Sequence, residues 1–176
     1  MTRLSVLCTA LMLAAGPVFA QGGNPMSDHY KAQWQNVRDL ITKMADKMPD
    51  ADYRFKPMPE MQDYGQRMMH VATFNLRACA AVTGSGKTLP QNNMPSKADV
   101  MAAITAANAE CDAVFNTLTD QMLMTKMVPF GRGGMRPLFA ALEANPLEHA
   151  QEVYGYSAVY LRLKGIVPPS SDRNER

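Results

Sequence analysis

The sequence predicts an all-α fold, a four-helix bundle that follows an N-terminal signal peptide. Two observations lead to this prediction: apolar residues recur with helical spacing in four separate stretches, and no stretch shows the apolar–polar alternation of a strand. The chain has 176 residues, of which 47% are apolar and 19% charged, as in a globular protein of one domain. Four helices of this length bury their apolar faces by packing as a bundle.

The charge balance argues against a nucleic-acid partner. Lysine and arginine total 18, and aspartate and glutamate total 16, so the formal net charge is only +2. Proteins that bind nucleic acid concentrate positive charge to contact phosphates, and this composition shows no such excess. After the N-terminus there is no apolar stretch of about 18 residues, so the mature chain is expected to have no membrane span.

Residues 1–20 have the features of a secretory signal peptide. Arg3 supplies the positive charge at the start, and residues 4–15 form an apolar stretch too short to cross a bilayer. Val18 and Ala20 stand at the positions that a signal peptidase reads. We therefore predict cleavage after Ala20 and a periplasmic or secreted mature protein.

The first two helices are predicted from apolar seams. Helix one should span residues 27–48, capped by Ser27 and Asp28, and residues 49–59 form a proline-containing loop. Helix two should span residues 60–82. The seam of helix one has spacings of 4, 3, 4, 3 and 4 residues and consists of Tyr30, Trp34, Val37, Ile41, Met44 and Met48.

The third and fourth helices follow longer connections. Residues 84–95 are polar, and Ser96 should cap a third helix that runs to about Asp120. A last helix should run from Pro137 to about Lys164, kinked or split at Asn145-Pro146. The connections before helices two and four exceed those of tight hairpins, so a simple up-down topology is not required. The bundle should occupy residues 21–169, and residues 170–176 should form a disordered tail.

Two cysteines, Cys79 and Cys111, remain after cleavage of the signal peptide. In an oxidising compartment they can form a disulfide, whereas two buried thiols are the alternative. Cys79 lies near the end of helix two and Cys111 lies midway along helix three. A bridge therefore requires the connecting segment to offset the two helices.

Two further patterns are weak. Residues 84–88, Gly-Ser-Gly-Lys-Thr, are similar to a phosphate-binding loop, but Ala81 replaces a required glycine and no strand precedes the segment. We therefore predict no nucleotide site. Thioethers are soft ligands that suit Cu(I), so Met122, Met124 and Met127 are a candidate copper site. The alternative is that methionine fills the core here as elsewhere in the helical seams.

The histidines are modest candidates when taken singly. His70 lies on helix two on the side away from the apolar seam, together with Gln66 and Thr73, which indicates a solvated or cleft-lining position. His149 lies on the last helix at the edge of an apolar stripe. That stripe consists of Val153, Tyr156 and Tyr160.

Several motifs together resemble the DinB-like superfamily of bacterial four-helix bundles. The resemblance covers residues 34–171, and its most specific part is Tyr154-Gly155 followed by YLRLKGIVPPSS at residues 160–171. Supporting matches are Trp34 with Val37-Arg38, the YRFKP segment at residues 53–57, and His70 followed by Val71-Ala72. The C-terminal part is similar to an exported branch of this family.

The resemblance implies a metal site of three histidines, one from helix two and two from the last helix. His70 matches the first position and His149 matches the second, but the third falls on Val153, which cannot bind a metal. Tyr156 stands where the family often has a polar amide. Glu152 can in principle replace the missing ligand, with zinc or nickel as the metal. The site is therefore expected to be degenerate.

Two functions remain open from the sequence. One is a DinB-like domain whose degenerate metal site lines a cleft for a small molecule or a partner, with Gln66, Thr73, Tyr156 and Tyr160 around it. The other is a divalent-metal-dependent enzyme of the hydrolase or thiol-transferase type that uses His70, His149 and Glu152. The substrate stays open in both cases, and a homodimer is compatible with either.

Overall fold

The protein forms a helical bundle in the computed structural model, which describes residues 23–173. Four long helices make up the bundle: α1 (Pro25–Lys47), α2 (Tyr64–Thr83), α3 (Lys97–Thr117) and α6 (His149–Leu163). Two short helices, α4 (Asp120–Thr125) and α5 (Leu138–Leu142), lie between α3 and α6. The predicted all-α bundle is confirmed, and the bounds of the first three long helices are close to those expected.

The long helices pack as a ring in the order α1, α3, α2, α6. Contacts give their directions: the start of α2 lies beside the start of α3, because Gln66 Nε2 donates to the carbonyl oxygen of Asn93 at 2.8 Å. Helices α2 and α3 are therefore parallel. Helix α6 is antiparallel to α2, because the hydroxyl group of Tyr160 donates to the carbonyl oxygen of Gln62 at 2.8 Å.

The parallel arrangement requires the connection between α2 and α3 to return along the whole length of the bundle. Residues 84–96 make this crossover, which explains why the connection is long. It also removes the difficulty of pairing the cysteines, since parallel helices place Cys79 and Cys111 at matching heights. Their Cα atoms are 5.1 Å apart and a disulfide joins them.

The region between α3 and α6 differs from the prediction. The third helix ends at Thr117 rather than near Asp120, and Thr119 caps α4 by accepting from the backbone N–H of Met122. Two strands follow, β1 (Met127–Phe130) and β2 (Gly134–Pro137), paired antiparallel. The expectation that the chain has no strand is therefore wrong. The strands are only four residues long, too short to show a pattern, but Gly131 and Gly133 take the positive φ angles that the turn requires.

The last predicted helix is split, as expected from Asn145-Pro146. Asn145 has φ −147° and ψ 128°, which is extended backbone, and it interrupts the segment Glu143–Glu148 between α5 and α6. Proline cannot supply the N–H that an uninterrupted helix needs at this position. Helix α6 therefore begins at His149, which fixes that side chain in the first turn, and Gly165 with φ 73° follows its end.

The expected cap of α1 is also wrong. The helix begins at Pro25, so Ser27 and Asp28 lie inside its first turn. The N–H groups exposed there are bound by Asp120 from α4, which accepts from Met26 N at 3.2 Å and from Ser27 N at 2.7 Å. A carboxylate distant in sequence thus does the work of a cap.

The segment predicted to be a disordered tail makes defined contacts at its start. Pro169–Ser171 forms a 3-10 turn, and Asp172 pairs with Lys47 at 2.7 Å. The hydroxyl groups of Tyr154 and Ser170 are 2.8 Å apart. The predicted signal peptide and the last residues of the tail lie outside the described residues. None of the helices described for residues 23–173 is long and apolar enough to cross a membrane.

Candidate functional site

His70 and His149 meet at the surface between α2 and α6. Their Nε2 atoms are 3.0 Å apart and their ring centroids 5.1 Å apart, with the rings inclined at 70°. Helix α2 supplies the first histidine from its second turn, and the split before α6 supplies the other at the first position of that helix. The two histidines that the sequence singled out are thus in direct contact.

Glu152 contacts the other nitrogen of His149. Its Oε2 atom lies 3.4 Å from Nδ1, one turn along the helix. The hydroxyl group of Tyr156 donates to Oε1 of the same carboxylate at 2.9 Å. A carboxylate beside Nδ1 favours the tautomer with the proton on Nδ1, which leaves Nε2 as an acceptor. His70 then donates its Nε2–H to His149.

Phe74 forms an apolar wall behind the pair. Its ring centroid is 4.5 Å from that of His70 and 5.0 Å from that of His149. One turn before His70, the guanidinium group of Arg67 lies 5.4 Å from the ring centroid of Tyr156. The pair is therefore held between an aromatic face on one side and a cation on the other.

The electrostatic environment keeps His70 neutral. Burial lowers the pKa of His70, and the nearby His149 and Arg67 lower it further, while Glu152 opposes the shift. The pKa of the Glu152 carboxyl is lowered first by the hydrogen bond from Tyr156 and then by His149. The 3.0 Å contact requires one Nε2 atom to donate and the other to accept, because two protonated rings would present N–H groups to each other.

The residues present do not complete a three-ligand metal centre. Val153, at the third position of the implied triad, is 2% exposed and packs in the core. Glu152 faces Nδ1 of His149 rather than the space between the two Nε2 atoms. Within residues 23–173 no group of three His, Cys, Asp or Glu side chains is arranged to hold a metal.

A polar groove lies beside His70. Its volume is about 390 Å³, and one wall is α2 while the other is the crossover between α2 and α3. We name it the histidine groove; its lining residues include Gln66, His70, Thr73, Phe74, Leu89 and Asn92. His149 and Glu152 instead line a second depression, which Phe74 also borders.

The predicted cleft residues take three different positions. Gln66 and Thr73 line the histidine groove. Tyr156 is half exposed and touches the site through Glu152. Tyr160 is fully buried, so the structure places it in the core beneath the site rather than in the cleft.

The structure also shows what surrounds the two weak sequence patterns, the segment 84–88 and the methionine cluster. Glu110, 4% exposed, accepts hydrogen bonds from Ser85 Oγ at 2.7 Å and from Lys87 Nζ at 2.7 Å, so the side chains of the Gly-Ser-Gly-Lys segment are held by a carboxylate. Met122 packs against the core, whereas Met124 and Met127 are exposed. The copper site stays a prediction.

Sequence reasoning missed Phe74 and the crossover. Phe74 is four residues after His70, so helical spacing alone places it beside that ring. Leu89 and Asn92 belong to a loop whose path depends on the parallel packing of α2 and α3, and no local pattern reveals that path.

Comparisons with known proteins agree with the fold. Residues 33–149, which include both histidines, match the model of the DinB superfamily. The crystal structure of a DinB-like protein from Bacillus cereus ATCC 10987 is similar, with a TM-score of 0.65 and 20% identity over 81% of this chain and 95% of that chain. At this identity the likeness shows the fold alone. No curated protein matches the chain.

Proposed function

Because the chain belongs to the DinB superfamily, we propose that it is an exported DinB-like domain in which one member of a metal-free histidine pair, His70, lines a groove for a small polar molecule. The observation that carries this proposal is that Val153, at the third position of the implied triad, is buried in the core, so His70 and His149 contact each other without a third protein ligand. The pair therefore serves the groove as imidazoles.

The lining of the histidine groove supports a polar ligand. Gln66 and Asn92 offer amide groups, and Phe74 offers an apolar face on which a planar group can stack. His70 adds a ring whose Nδ1 is an acceptor in the tautomer described above. A cavity of about 390 Å³ lies within the usual range of small-molecule sites, about 300–1,000 Å³.

Metal content tests the first half of the proposal. Protein purified without chelator should contain far less than one zinc or nickel ion per chain by inductively coupled plasma mass spectrometry. His70→Ala should leave that content unchanged. About one ion per chain, lost in His70→Ala but kept in the exposed control His29→Ala, would overturn the proposal.

Occupancy of the groove tests the second half. Small polar fragments should shift the Cε1–H NMR signal of His70, and Thr73→Phe should abolish those shifts by filling the groove. Thr105→Phe is a matched control, because Thr73 and Thr105 each donate to a carbonyl oxygen one turn earlier at 2.8 Å, but Thr105 lies on α3 outside the groove. If Thr73→Phe retains the shifts, the groove is not the binding site.

The alternative function is a divalent-metal-dependent enzyme of the hydrolase or thiol-transferase type using His70, His149 and Glu152. One observation favours it: a carboxylate on Nδ1 of His149 is the usual outer partner of a metal-binding histidine. A divalent ion would supply Lewis acidity to a water or a thiol. The alternative needs a third ligand, and the same metal measurement decides between the two functions.

A further inference from the structure

We propose that a second groove, between α2 and the β hairpin, binds an organic carboxylate with an apolar body. This hairpin groove has a volume of about 430 Å³ and is separate from the histidine groove, although Phe74 borders both. It is lined mainly by apolar surface: Phe74, Ala78, Ala81, Pro129 and Phe130, together with Arg77 and Asn145. No acidic residue is among those that line it.

One arginine, Arg77, lines the hairpin groove, and a second, Arg136, contacts the ring of the lining residue Phe130. The guanidinium carbon of Arg77 is 5.7 Å from the ring centroid of Phe74, and that of Arg136 is 3.8 Å from the ring centroid of Phe130. A guanidinium stacked on a ring keeps its N–H donors in its own plane, where they can bind a carboxylate in a bidentate manner. Neither arginine forms an ion pair with any residue from 23 to 173. The groove thus presents positive charge that the protein itself does not neutralise.

Asn145 adds a polar group to the lining of the hairpin groove. Its side-chain Oδ1 is buried and has no hydrogen-bond partner within the described part of the chain. A buried acceptor without a partner is unfavourable, because it has lost its hydrogen bonds to water. A ligand that carries an N–H or O–H group would bind this acceptor while its carboxylate meets the arginines.

The charge and the apolar lining together select the chemical class. A small inorganic anion would leave Ala78, Ala81 and Phe130 uncovered, and an uncharged hydrocarbon would leave the guanidinium groups unused. An amphiphilic carboxylate satisfies both. The nearby Glu110 does not compete for these arginines, because Lys87, Thr83 and Ser85 already bind it.

Binding of octanoate to the full mature chain tests the inference, with octan-1-ol as the uncharged probe of the same chain length. Octanoate should bind saturably at one site, shift the amide NMR signals of Ala78 and Phe130, and bind more tightly than octan-1-ol. Arg77→Gln should weaken octanoate binding by about tenfold or more, as expected for the loss of a hydrogen bond to a charged group. Arg162→Gln, at the other end of the bundle, should not.

Filling the hairpin groove with a large side chain provides a second test of the inference. Ala78→Trp should abolish octanoate binding, and Ala113→Trp on the exposed face of α3 should retain it, with the melting temperature of both variants checked against the wild type. The inference is overturned if octan-1-ol binds as tightly as octanoate, if Arg77→Gln leaves the affinity unchanged, or if Ala78→Trp still binds. His70→Ala should retain octanoate binding, so failure here is distinct from failure of the histidine groove.

Discussion

Glu152 contacts His149 on Nδ1, the ring nitrogen that faces away from His70, at 3.4 Å. The carboxylate thus lies beside Nδ1 of His149, whereas a third metal ligand was expected to lie near the two Nε2 atoms. In this geometry Glu152 favours the tautomer of His149 with the proton on Nδ1, which leaves Nε2 as the acceptor for His70.

Replacement of Glu152 should change the tautomer of His149. In the wild type at pH 8 the imidazole ¹⁵N shifts should show a protonated Nδ1, whereas Glu152→Gln should give a mixture of tautomers, because the charged acceptor is lost. Glu148→Gln is the control, since Glu148 lies beside the same depression without a hydrogen bond to His149. An unchanged ¹⁵N spectrum in Glu152→Gln would contradict this assignment.

Acidification should destabilise the protein through His70. Its pKa is lowered in the folded state, chiefly by burial, from an ordinary value of 6.5, so the unfolded chain binds the proton more tightly. The contribution of neutral His70 to the free energy of unfolding is therefore fully present above about pH 6.5. It is lost as pH falls through the lower pKa of the folded state. Denaturant unfolding between pH 7.5 and 5 should show a smaller loss in His70→Gln. The exposed control His29→Gln should keep the wild-type dependence, and equal slopes in all three proteins would exclude this role.

The disulfide should contribute substantially to stability. Cys79 and Cys111 are separated by 32 residues, and closing a loop of that size in the unfolded chain is worth about 3–4 kcal/mol. Reductant should therefore lower the melting temperature of the wild type. It should have no such effect on Cys79→Ala/Cys111→Ala, which should melt near the reduced wild type. Insensitivity of the wild type to reductant would mean that the thiols are not bridged in solution.

Glu110 should stabilise the start of the crossover. The pKa of its carboxyl is lowered to about 2, first by the hydrogen bond from Lys87 and then by those from Thr83 and Ser85. A lowered carboxyl pKa contributes stability above the ordinary value of 4.5 that is lost as pH falls towards 2. Glu110→Gln should lower the free energy of unfolding at pH 7 by about 1–3 kcal/mol.

The effect of Glu110→Gln should shrink on acidification, because the wild-type carboxyl is then protonated as well. Glu60→Gln, an exposed glutamate in the preceding loop, provides the comparison and should change stability little at either pH. A constant difference between Glu110→Gln and the wild type from pH 7 to pH 2 would show that charge is not the cause.

Asp120→Ala should fray the start of α1. Removal of the carboxylate leaves the N–H groups of Met26 and Ser27 without their acceptor, which for a cap costs about 0.5–2 kcal/mol. Amide hydrogen exchange at these two residues should accelerate. Asp28→Ala, at the position first expected to cap the helix, should have a smaller effect on these amides. A larger effect of Asp28→Ala than of Asp120→Ala would instead support Asp28 as the cap.

The helices were predictable because each has an apolar seam, but their directions were not. The apolar seam of α2 shows which side of the helix is buried, but it does not show whether α3 runs parallel or antiparallel to α2. The apparent mismatch between Cys79 and Cys111 was in fact the one signal of parallel packing in the sequence. The hairpin was missed because its strands are short, although glycines at residues 131, 133 and 134 between two β-forming segments are a hairpin signal.

The site was predictable in part for a related reason. The resemblance to a family indicated that His70 and His149 belong together, since residues 79 positions apart share no local pattern. The direction of Glu152 and the burial of Val153 depend on how α6 is rotated against α2 and α1. That rotation is set by packing across the whole core, which one sequence does not reveal.

The crossover has a consequence for how ligand preference can change in this protein. Leu89, Gln91 and Asn92 form one wall of the histidine groove, yet they lie in a surface loop outside the helical core. Substitutions or length changes there can therefore alter the shape and polarity of the groove while the four helices and their disulfide remain intact. The helical bundle can therefore stay unchanged while the loop changes. The loop is the element through which new ligand specificities can evolve or be engineered.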